Sequence, residues 1–405
     1  MSTDKTAIVI VVDRLGCGQL GPYGNAWVST PNWNQLASES LLCEFAIADS
    51  PKLDLVYRSY WQGLHAMRPS GLQQSCIAEL LSETGVDVAL VTDEQAVSEH
   101  PLADQISTIT FCEPTLHTAP AVRPEDTQIA RLFEAGIEQI TKAEPPALVW
   151  IHAQGMQGRW DAPQQFRQQF ADEDDPDPPD FTAPPNYLLN QDHDPDEIFG
   201  ISNAYSGQML LLDICLGAMM EQLARMPQHN DALIVVTSPR GFPLGEHLRI
   251  GACDDALYGE LIHVPWLIRT TSSSESVRDH ALVQPPDLHA TLLDWFDIES
   301  PDAIDGQSLL ASGHSAQTLP RQTACSFSGD QIAIRTPAWM LRRDDTNLEL
   351  YVKPDDRWEV NNVAVRCTDI VDLLSETIDE YKLAAQTGCL NELRPLREVL
   401  IRGLD

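Results

Sequence analysis

Short apolar runs alternate with longer amphipathic stretches along the first 240 residues. The apolar runs are typical of strands buried on both faces of a sheet, and they cover residues 7–12, 87–92, 107–111, 147–151 and 232–237. Between them, apolar residues recur at helical spacing over residues 32–40, 73–84, 126–142 and 204–225. The alternation predicts an α/β fold in which helices sandwich a large, mostly parallel sheet.

The pattern changes after about residue 320. Short strand patterns and then one helical pattern follow, at residues 331–336, 338–343, 349–352 and 369–386. Consecutive short strands followed by a helix predict a small antiparallel sheet with a helix packed on it. We therefore expect an α/β domain over residues 1–312 and a smaller C-terminal α+β subdomain over residues 313–405.

Charge narrows the range of partners. The chain of 405 residues carries a formal net charge of −34. Nucleic acids and anionic membrane surfaces attract clusters of lysine and arginine, so neither is an expected partner. The acidic, proline-rich segment 171–197 lacks the ligand spacing and the glycine of a calcium-binding EF-hand. We expect this segment to be a solvated surface loop.

The sequence patterns of targeting segments and the cysteine content bear on where the protein is located. No run approaches the ~18 apolar residues of a membrane span, and the first residues lack the pattern of a secretory signal. The nine cysteines include no Cys-x-x-Cys pair, and their odd number argues against a closed disulfide framework. The expectation is a cytoplasmic protein with reduced thiols.

Several motifs along the chain resemble those of one enzyme family. The first strand pattern ends at Asp13-Arg14, and residues 237–247 read Thr-Ser-Pro-Arg-Gly-Phe-Pro-Leu-Gly-Glu-His. Further matching segments lie at residues 257–265, 287–309 and 349–363. Together they resemble the formylglycine-dependent sulfatases of the alkaline phosphatase superfamily, over nearly the whole chain. The resemblance implies their fold, and a site in which Ca²⁺ and a Cys or Ser nucleophile hydrolyse sulfate esters.

The metal ligands that the resemblance implies are largely replaced. Family members carry two adjacent aspartates after the first strand, and here the pair reads Asp13-Arg14. Their later Asp-His or Asp-Asn pair falls on Pro239-Arg240. Proline has no side-chain ligand atom, and arginine cannot be deprotonated to bind a metal. Asp13 is the only retained ligand, so we expect the Ca²⁺ of the family to be lost and no other cofactor to be present.

The nucleophile of the family is also missing. Counting from Arg58 places its position on Asp54, whereas counting from Gly63 places it on Leu53, and both alternatives stay open. No catalytic residue of the family is intact. The resemblance implies a remnant pocket made of Asp13, Arg14, Asp54, Arg58, Asp93, Gln95, Gln157, Arg240 and Asp254.

The replacements in this pocket exchange one sign of charge for the other. Arg14 and Arg240 stand where the family has metal ligands. Asp93, Asp254 and, by one count, Asp54 stand where it has cationic side chains or the nucleophile. Because a buried charge must be paired, we predict that these groups meet as an internal ion-pair network. The alternative is that the long arginine side chains extend into solvent.

Three functions are compatible with this pattern. The first is a pseudoenzyme that has lost sulfuric-ester hydrolysis and binds or scaffolds a protein partner. The second is a hydrolase of sulfate or phosphate esters with Asp54 as nucleophile and His152 as proton donor. The third is a module that binds a small anionic ligand through Arg14, Arg58 and Arg240. The loss of both nucleophile and metal ligands favours the first.

Overall fold

A computed structural model describes residues 5–72, 74–251, 254–270, 276–299, 303–310, 321–344, 346–388, 390 and 393–404. The strands are β1 (Thr6–Val12), β2 (Leu41–Ile47), β3 (Asp87–Thr92), β4 (Thr108–Phe111), β5 (Ala147–Ala153), β6 (Tyr187–Leu188), β7 (Leu233–Thr237), β8 (Arg249–Ile250), β9 (His263–Val264), β10 (Trp266–Arg269), β11 (Val277–Val283), β12 (Ala324–Ser328), β13 (Gln331–Arg335), β14 (Trp339–Arg343) and β15 (Leu348–Val352). The helices are α1 (Pro31–Ser38), α2 (Leu53–Gln62), α3 (Ile77–Glu83), α4 (Gln95–Ser98), α5 (Gln128–Lys142), α6 (Gln164–Arg167), α7 (Pro195–Leu223), α8 (Gly259–Ile262), α9 (Pro286–Trp295), α10 (Thr368–Thr387) and α11 (Glu398–Arg402).

Nine strands form the large sheet, in the order β11-β2-β10-β7-β1-β5-β3-β4, with β9 paired to β2. The strands β7, β1, β5, β3 and β4 are parallel to one another, whereas β10 runs antiparallel to both β2 and β7. This mixed, mostly parallel sheet confirms the predicted α/β class. The five strands that the apolar runs predict are all present, within two residues at each end.

The strands β2, β10 and β11 escape the sequence prediction. β2 and β11 expose part of their length, so polar residues such as Glu44, Arg278 and Asp279 interrupt the apolar pattern. β10 contributes only four residues, Trp266–Arg269. A search for apolar runs misses such short or partly exposed strands. The predicted strand at residues 107–111 forms as β4, but most of its residues are exposed, so the expectation that it is buried on both faces is wrong.

One hydrophobic core lies on each face of the large sheet. Alternate residues of β1 point to opposite faces: Ile8 and Ile10 enter one core, and Val9 and Val11 enter the other. Helices α5 and α7 cover the first face, and α2 and α9 cover the second. β1 is buried along its whole length, as a central strand of a sandwiched sheet must be.

Helix α7 begins nine residues before its predicted start. The Asp194 side chain accepts a hydrogen bond from the backbone N–H of Asp196, and Pro195 occupies the first helical turn, a standard helix start. Most of the acidic segment before it is exposed, as expected of a surface loop. Within that segment, Tyr187–Leu188 forms a two-residue strand against Arg249–Ile250.

The C-terminal region contains a four-stranded antiparallel sheet in the order β12-β13-β14-β15. Helix α10 packs Leu374 and Ile378 against Ile334 and Leu341 of this sheet. Strand β12 was not predicted, because its sequence Ala-Cys-Ser-Phe-Ser is too polar to read as a buried strand. The expected division between residues 312 and 313 lies outside the described residues, so it stays a prediction. Within the ranges given above, none of the helices has the length and apolarity needed to cross a bilayer.

Candidate functional site

The carboxyl ends of three neighbouring strands bring the site residues together. Val12 of β1 lies beside Ala153 of β5, and Val11 lies beside Thr237 of β7. The segments that follow these strands therefore leave the sheet at one edge, which is where open α/β sheets place their ligand sites. Gly155 has a φ of 55°, and a Cβ there would lie 2.6 Å from the backbone oxygen of Asp13, so the two loops meet closely.

Asp13 and Arg240 form a bidentate ion pair. Arg240 Nε donates to Asp13 Oδ1 and Nη2 donates to Oδ2, each at 2.9 Å. Asp13 is completely buried. Burial alone would raise the pKa of Asp13, but the charge and hydrogen bonds of Arg240 outweigh it and hold the pKa below its usual value. Arg240 Nη1 also donates to the carbonyl of Pro51, at 2.8 Å, just before α2.

Arg14 occupies a strained position beside this pair. Its φ of 62° is left-handed, an uncommon conformation for a residue with a side chain. Nη2 donates to Asp254 Oδ1 at 2.6 Å and Nε donates to Gln157 Oε1 at 3.1 Å. The Tyr205 hydroxyl donates to the Arg14 carbonyl at 3.1 Å. Burial and repulsion from Arg240 lower the pKa of Arg14, partly offset by the neighbouring carboxylates.

Asp254 joins the two arginines. Its Oδ1 accepts from Arg14, and its Oδ2 accepts from Arg240 Nη1 at 3.0 Å. The structure thus contains the ion-pair network that the charge exchange predicts, with Asp13 and Asp254 as its two carboxylates. The positive charges of Arg14 and Arg240 balance the negative charges of Asp13 and Asp254, and Gln157 accepts a hydrogen bond from Arg14. In the remainder of this article, "the ion-pair network" means Asp13, Arg14, Gln157, Arg240 and Asp254.

Asp93 lies outside the ion-pair network, contrary to the prediction. Its side chain accepts from the backbone N–H of Gln154 at 2.8 Å and from Gln128 Nε2 at 3.2 Å. Among the residues that the structure describes, no arginine pairs with it, and burial raises its pKa to about 6. Hydrogen bonds from neutral groups satisfy this carboxyl group, so it does not need a cationic partner.

The structure does not bring Asp54, Arg58 or Gln95 into the ion-pair network either. Asp54 is exposed in the first turn of α2. Gln95, the exposed first residue of α4, donates to Glu99, which directly follows that helix. Arg58 lies one turn further along α2, where it faces another loop. Its Nη groups donate, at 2.8 to 3.3 Å, to the backbone carbonyls of His65, Ala66, Arg68 and Pro69.

Two buried aromatic residues, His152 and Tyr57, lie close to Asp13 and Arg240 of the ion-pair network. His152, at the end of β5, shares a hydrogen bond of 2.6 Å between its Nδ1 and the Tyr57 hydroxyl. Its Nε2 has no hydrogen-bond partner in the described parts of the chain. Burial lowers the pKa of His152 to about 4, although Asp13 acts in the opposite direction. A neutral imidazole of this kind is a poor proton donor at neutral pH.

Two contributors escaped the sequence analysis. Glu94 is near enough to Asp13 and Arg240 for their charges to act on its own pKa, and its charge helps to raise the pKa of Arg240. Its position directly after Asp93, at the end of a predicted strand, was a usable signal. The Pro51 carbonyl gives no such signal, because a backbone acceptor is invisible in a residue pattern.

The groups at this site do not fit a Ca²⁺ ion. Such an ion takes about six to eight oxygen ligands. Both oxygens of Asp13 are occupied by Arg240, and those of Asp254 are divided between Arg14 and Arg240. The guanidinium groups of Arg14 and Arg240, which contact these carboxylates, would also repel a cation placed there. Over the part of the chain that the structure describes, no three His, Cys, Asp or Glu side chains are grouped to hold a metal.

The strand order, the helical layers and the site at the strand ends define an α/β protein with a mostly parallel sheet covered by helices on both faces. The crystal structure of a phosphonate monoester hydrolase from Agrobacterium radiobacter aligns with a TM-score of 0.76 at 16% identity, over 94% of this chain and 96% of that one. The family model described as Sulfatase matches residues 5–298. The chain therefore belongs to the sulfatase family.

Two characterised proteins are similar in part. An N-acetylglucosamine-6-O-sulfatase from Bacteroides thetaiotaomicron is 27% identical over 201 residues, which cover 44% of this chain and 36% of that protein. The multifunctional alkaline phosphatase superfamily protein PehA from Trinickia caryophylli is 30% identical over 119 residues, which cover 29% of this chain and 23% of that protein. Each match thus spans less than half of the relative's own length.

Proposed function

We propose that this chain is a pseudo-sulfatase: a member of the family that has lost sulfuric-ester hydrolysis and serves as a binding or scaffold protein. One observation carries the proposal. Asp13 is the metal ligand that the resemblance retains, and both of its oxygens are bound by the Arg240 guanidinium. A metal could reach this carboxylate only by displacing Arg240, which would leave that buried cation with the partly exposed Asp254 as its remaining counter-charge.

The chemistry of ester hydrolysis supports the same proposal. The reaction needs a nucleophile, a group that stabilises the developing negative charge, and a proton donor for the leaving group. Here Asp13 and Asp254 neutralise the arginines that could stabilise charge. His152, the available proton donor, has a pKa of about 4. The arginines and His152 are therefore poorly suited to charge stabilisation and proton donation, and the resemblance leaves no nucleophile of the family in place.

Hydrolysis by a rebuilt site has less support. It relies on Asp54 as the nucleophile and on Arg58 to hold the ester. Asp54 makes no contact with the ion-pair network, and Arg58 turns its Nη groups to backbone carbonyls. A module that binds a small anion is the second candidate. It is favoured by Arg14 Nη1, which is buried and has no acceptor among the described residues.

The decisive experiment is an assay of the purified protein against aryl sulfate, aryl phosphate and aryl phosphonate monoesters, with and without Ca²⁺. The names of the similar proteins make these the esters to test. We expect no turnover above that of an Asp254→Asn variant. This variant is prepared in the same way, so it shows how much turnover comes from contaminating enzymes. Turnover that depends on Ca²⁺ and scales with the amount of wild-type protein would contradict the proposal.

A further inference from the structure

A cavity lies between the large sheet and the C-terminal sheet, apart from the ion-pair network. Its volume is about 170 Å³, and none of Asp13, Arg14, Arg240 and Asp254 contributes to its wall. Apolar side chains, among them Phe45 and Met340, form much of the lining. The charged residues Arg335, Lys353 and Arg357 also line it. We call this space the Arg335 cavity.

Arg335 is a buried cation without an anionic partner. It is the last residue of β13, and only 5% of its surface is exposed. Its Nη1 donates to backbone carbonyls, including those of Pro337 at 3.2 Å and Trp339 at 3.3 Å. Its Nε and Nη2 donate to no acceptor, and no carboxylate pairs with it, among the residues that the structure describes. Burial lowers the pKa of Arg335 to about 9, with only partial compensation from Glu359.

The acidic residues around the cavity are already engaged. Four glutamates line it, and each has a partner other than Arg335. These pairs are Glu44 with Arg278, Glu246 with the backbone N–H of Leu244, Glu260 with His247, and Glu359 with Lys353. The cavity therefore contains carboxylates but none that neutralises Arg335. An uncompensated buried charge is unfavourable, and an anionic ligand would relieve it.

The free atoms of Arg335 define the chemical class of that ligand. Nε and Nη2 lie on one side of the planar guanidinium, and their parallel N–H bonds match the two oxygens of a carboxylate. The guanidinium also lies over the Phe45 ring, 5.3 Å from its centroid, which fixes its orientation. A cavity of about 150 Å³ is large enough to hold benzene, so a space of this size admits one small organic group.

We propose that the Arg335 cavity binds a small organic carboxylate, held side-on by Nε and Nη2 of Arg335. The apolar wall then contacts the body of the ligand. Arg357 is exposed and its guanidinium lies 5.1 Å from the centroid of the Trp358 ring, so it marks the open side of the cavity and attracts the anion. This binding is independent of the ion-pair network and of any ester hydrolysis.

Calorimetric titration of the full chain with benzoate tests this proposal. We expect one molecule to bind per chain with a Kd on the order of 1 mM or below. Benzamide, the neutral analogue, should bind at least roughly tenfold more weakly, because it lacks the charge that strengthens the hydrogen bonds. Arg335→Gln should weaken benzoate binding by at least roughly tenfold, and the exposed Arg357→Gln should weaken it a few-fold.

Two further variants keep the test decisive. Arg343→Gln is the matched control, because Arg343 lies on neighbouring β14, pairs with Asp379 and does not line the cavity; its Kd should equal that of the wild type. Met340→Trp fills the cavity without removing a charge and should abolish binding, which settles the question if Arg335→Gln does not fold. No benzoate binding to the wild type, equal binding of benzamide, or unchanged binding in Arg357→Gln and Met340→Trp would overturn the proposal.

Discussion

Charge pairing within a few ångströms defines the site at the scale of single residues. The resemblance to sulfatase motifs located Asp13, Arg14 and Arg240, which the structure brings together in the ion-pair network. It misplaced Arg58, because a residue one helical turn along α2 faces a different loop. The direction of a side chain depends on helix phase and on backbone acceptors, and neither can be read from spacing to a motif.

Removing the carboxylate of Asp13 should expose the energetic importance of the ion-pair network. Asp13→Asn leaves the buried Arg240 without its main counter-charge, so we expect a loss of about 3 to 5 kcal/mol in unfolding free energy. Asp254→Asn should cost less than about 1.5 kcal/mol, because the Asp254 side chain is 34% exposed and solvent screens its charge. Urea unfolding of the three proteins measures both values. Equal losses in the two variants would contradict this ranking.

A second buried carboxylate, Asp49, should make stability depend on pH. Burial raises its pKa to about 7, despite hydrogen bonds from the Ser59 hydroxyl and the Ala66 N–H. Its pKa in the unfolded chain is about 3.9. Between these values the unfolded state loses the proton while the folded state keeps it, so stability falls as pH rises.

The Asp49→Asn variant removes this titration. Relative to the wild type, it should gain roughly 2 to 4 kcal/mol between pH 4 and pH 7.5. Unfolding free energies measured at several pH values across this window give the difference directly. A constant difference between Asp49→Asn and the wild type over the window would show that the Asp49 pKa is not raised.

At the scale of secondary-structure elements, the burial of a strand decided whether the sequence pattern predicted it. The central strands β1, β3, β5 and β7 were found because both of their faces are covered. The strands β2 and β11 carry exposed polar residues and escaped the search. The start of α7 was missed although Asp194 and Pro195 are a standard helix start, because its first turns are exposed and lack an apolar stripe.

Arg58 should act through the attachment of α2 to the loop that follows it. Its Nη groups bind four backbone carbonyls of that loop, so Arg58→Ala should lower the unfolding free energy by about 2 to 3 kcal/mol. Arg123→Ala removes an exposed arginine paired with Asp126 and should leave stability unchanged. Chemical unfolding of both variants is the measurement. An unchanged stability of Arg58→Ala would refute this structural role.

At the scale of the whole molecule, the chain has the fold of the sulfatase family, and arginine ion pairs lie at the ends of its central strands. Sequence motifs predicted the fold because glycines, prolines and buried strands form most of them. The chemistry required each side chain to be placed, and the structure retains five of the nine predicted pocket residues in one network. Fold and activity are separable in this way because activity depends on few residues.

Calorimetric titration of the wild-type protein with Ca²⁺ tests the central claim most directly, because the claim is that arginine ion pairs have taken the place of the metal. We predict only the heat of dilution at Ca²⁺ concentrations up to about 10 mM, since both oxygens of Asp13 are bound to Arg240. Saturable binding of one Ca²⁺ per chain that EGTA reverses and that Asp254→Asn retains would contradict the account.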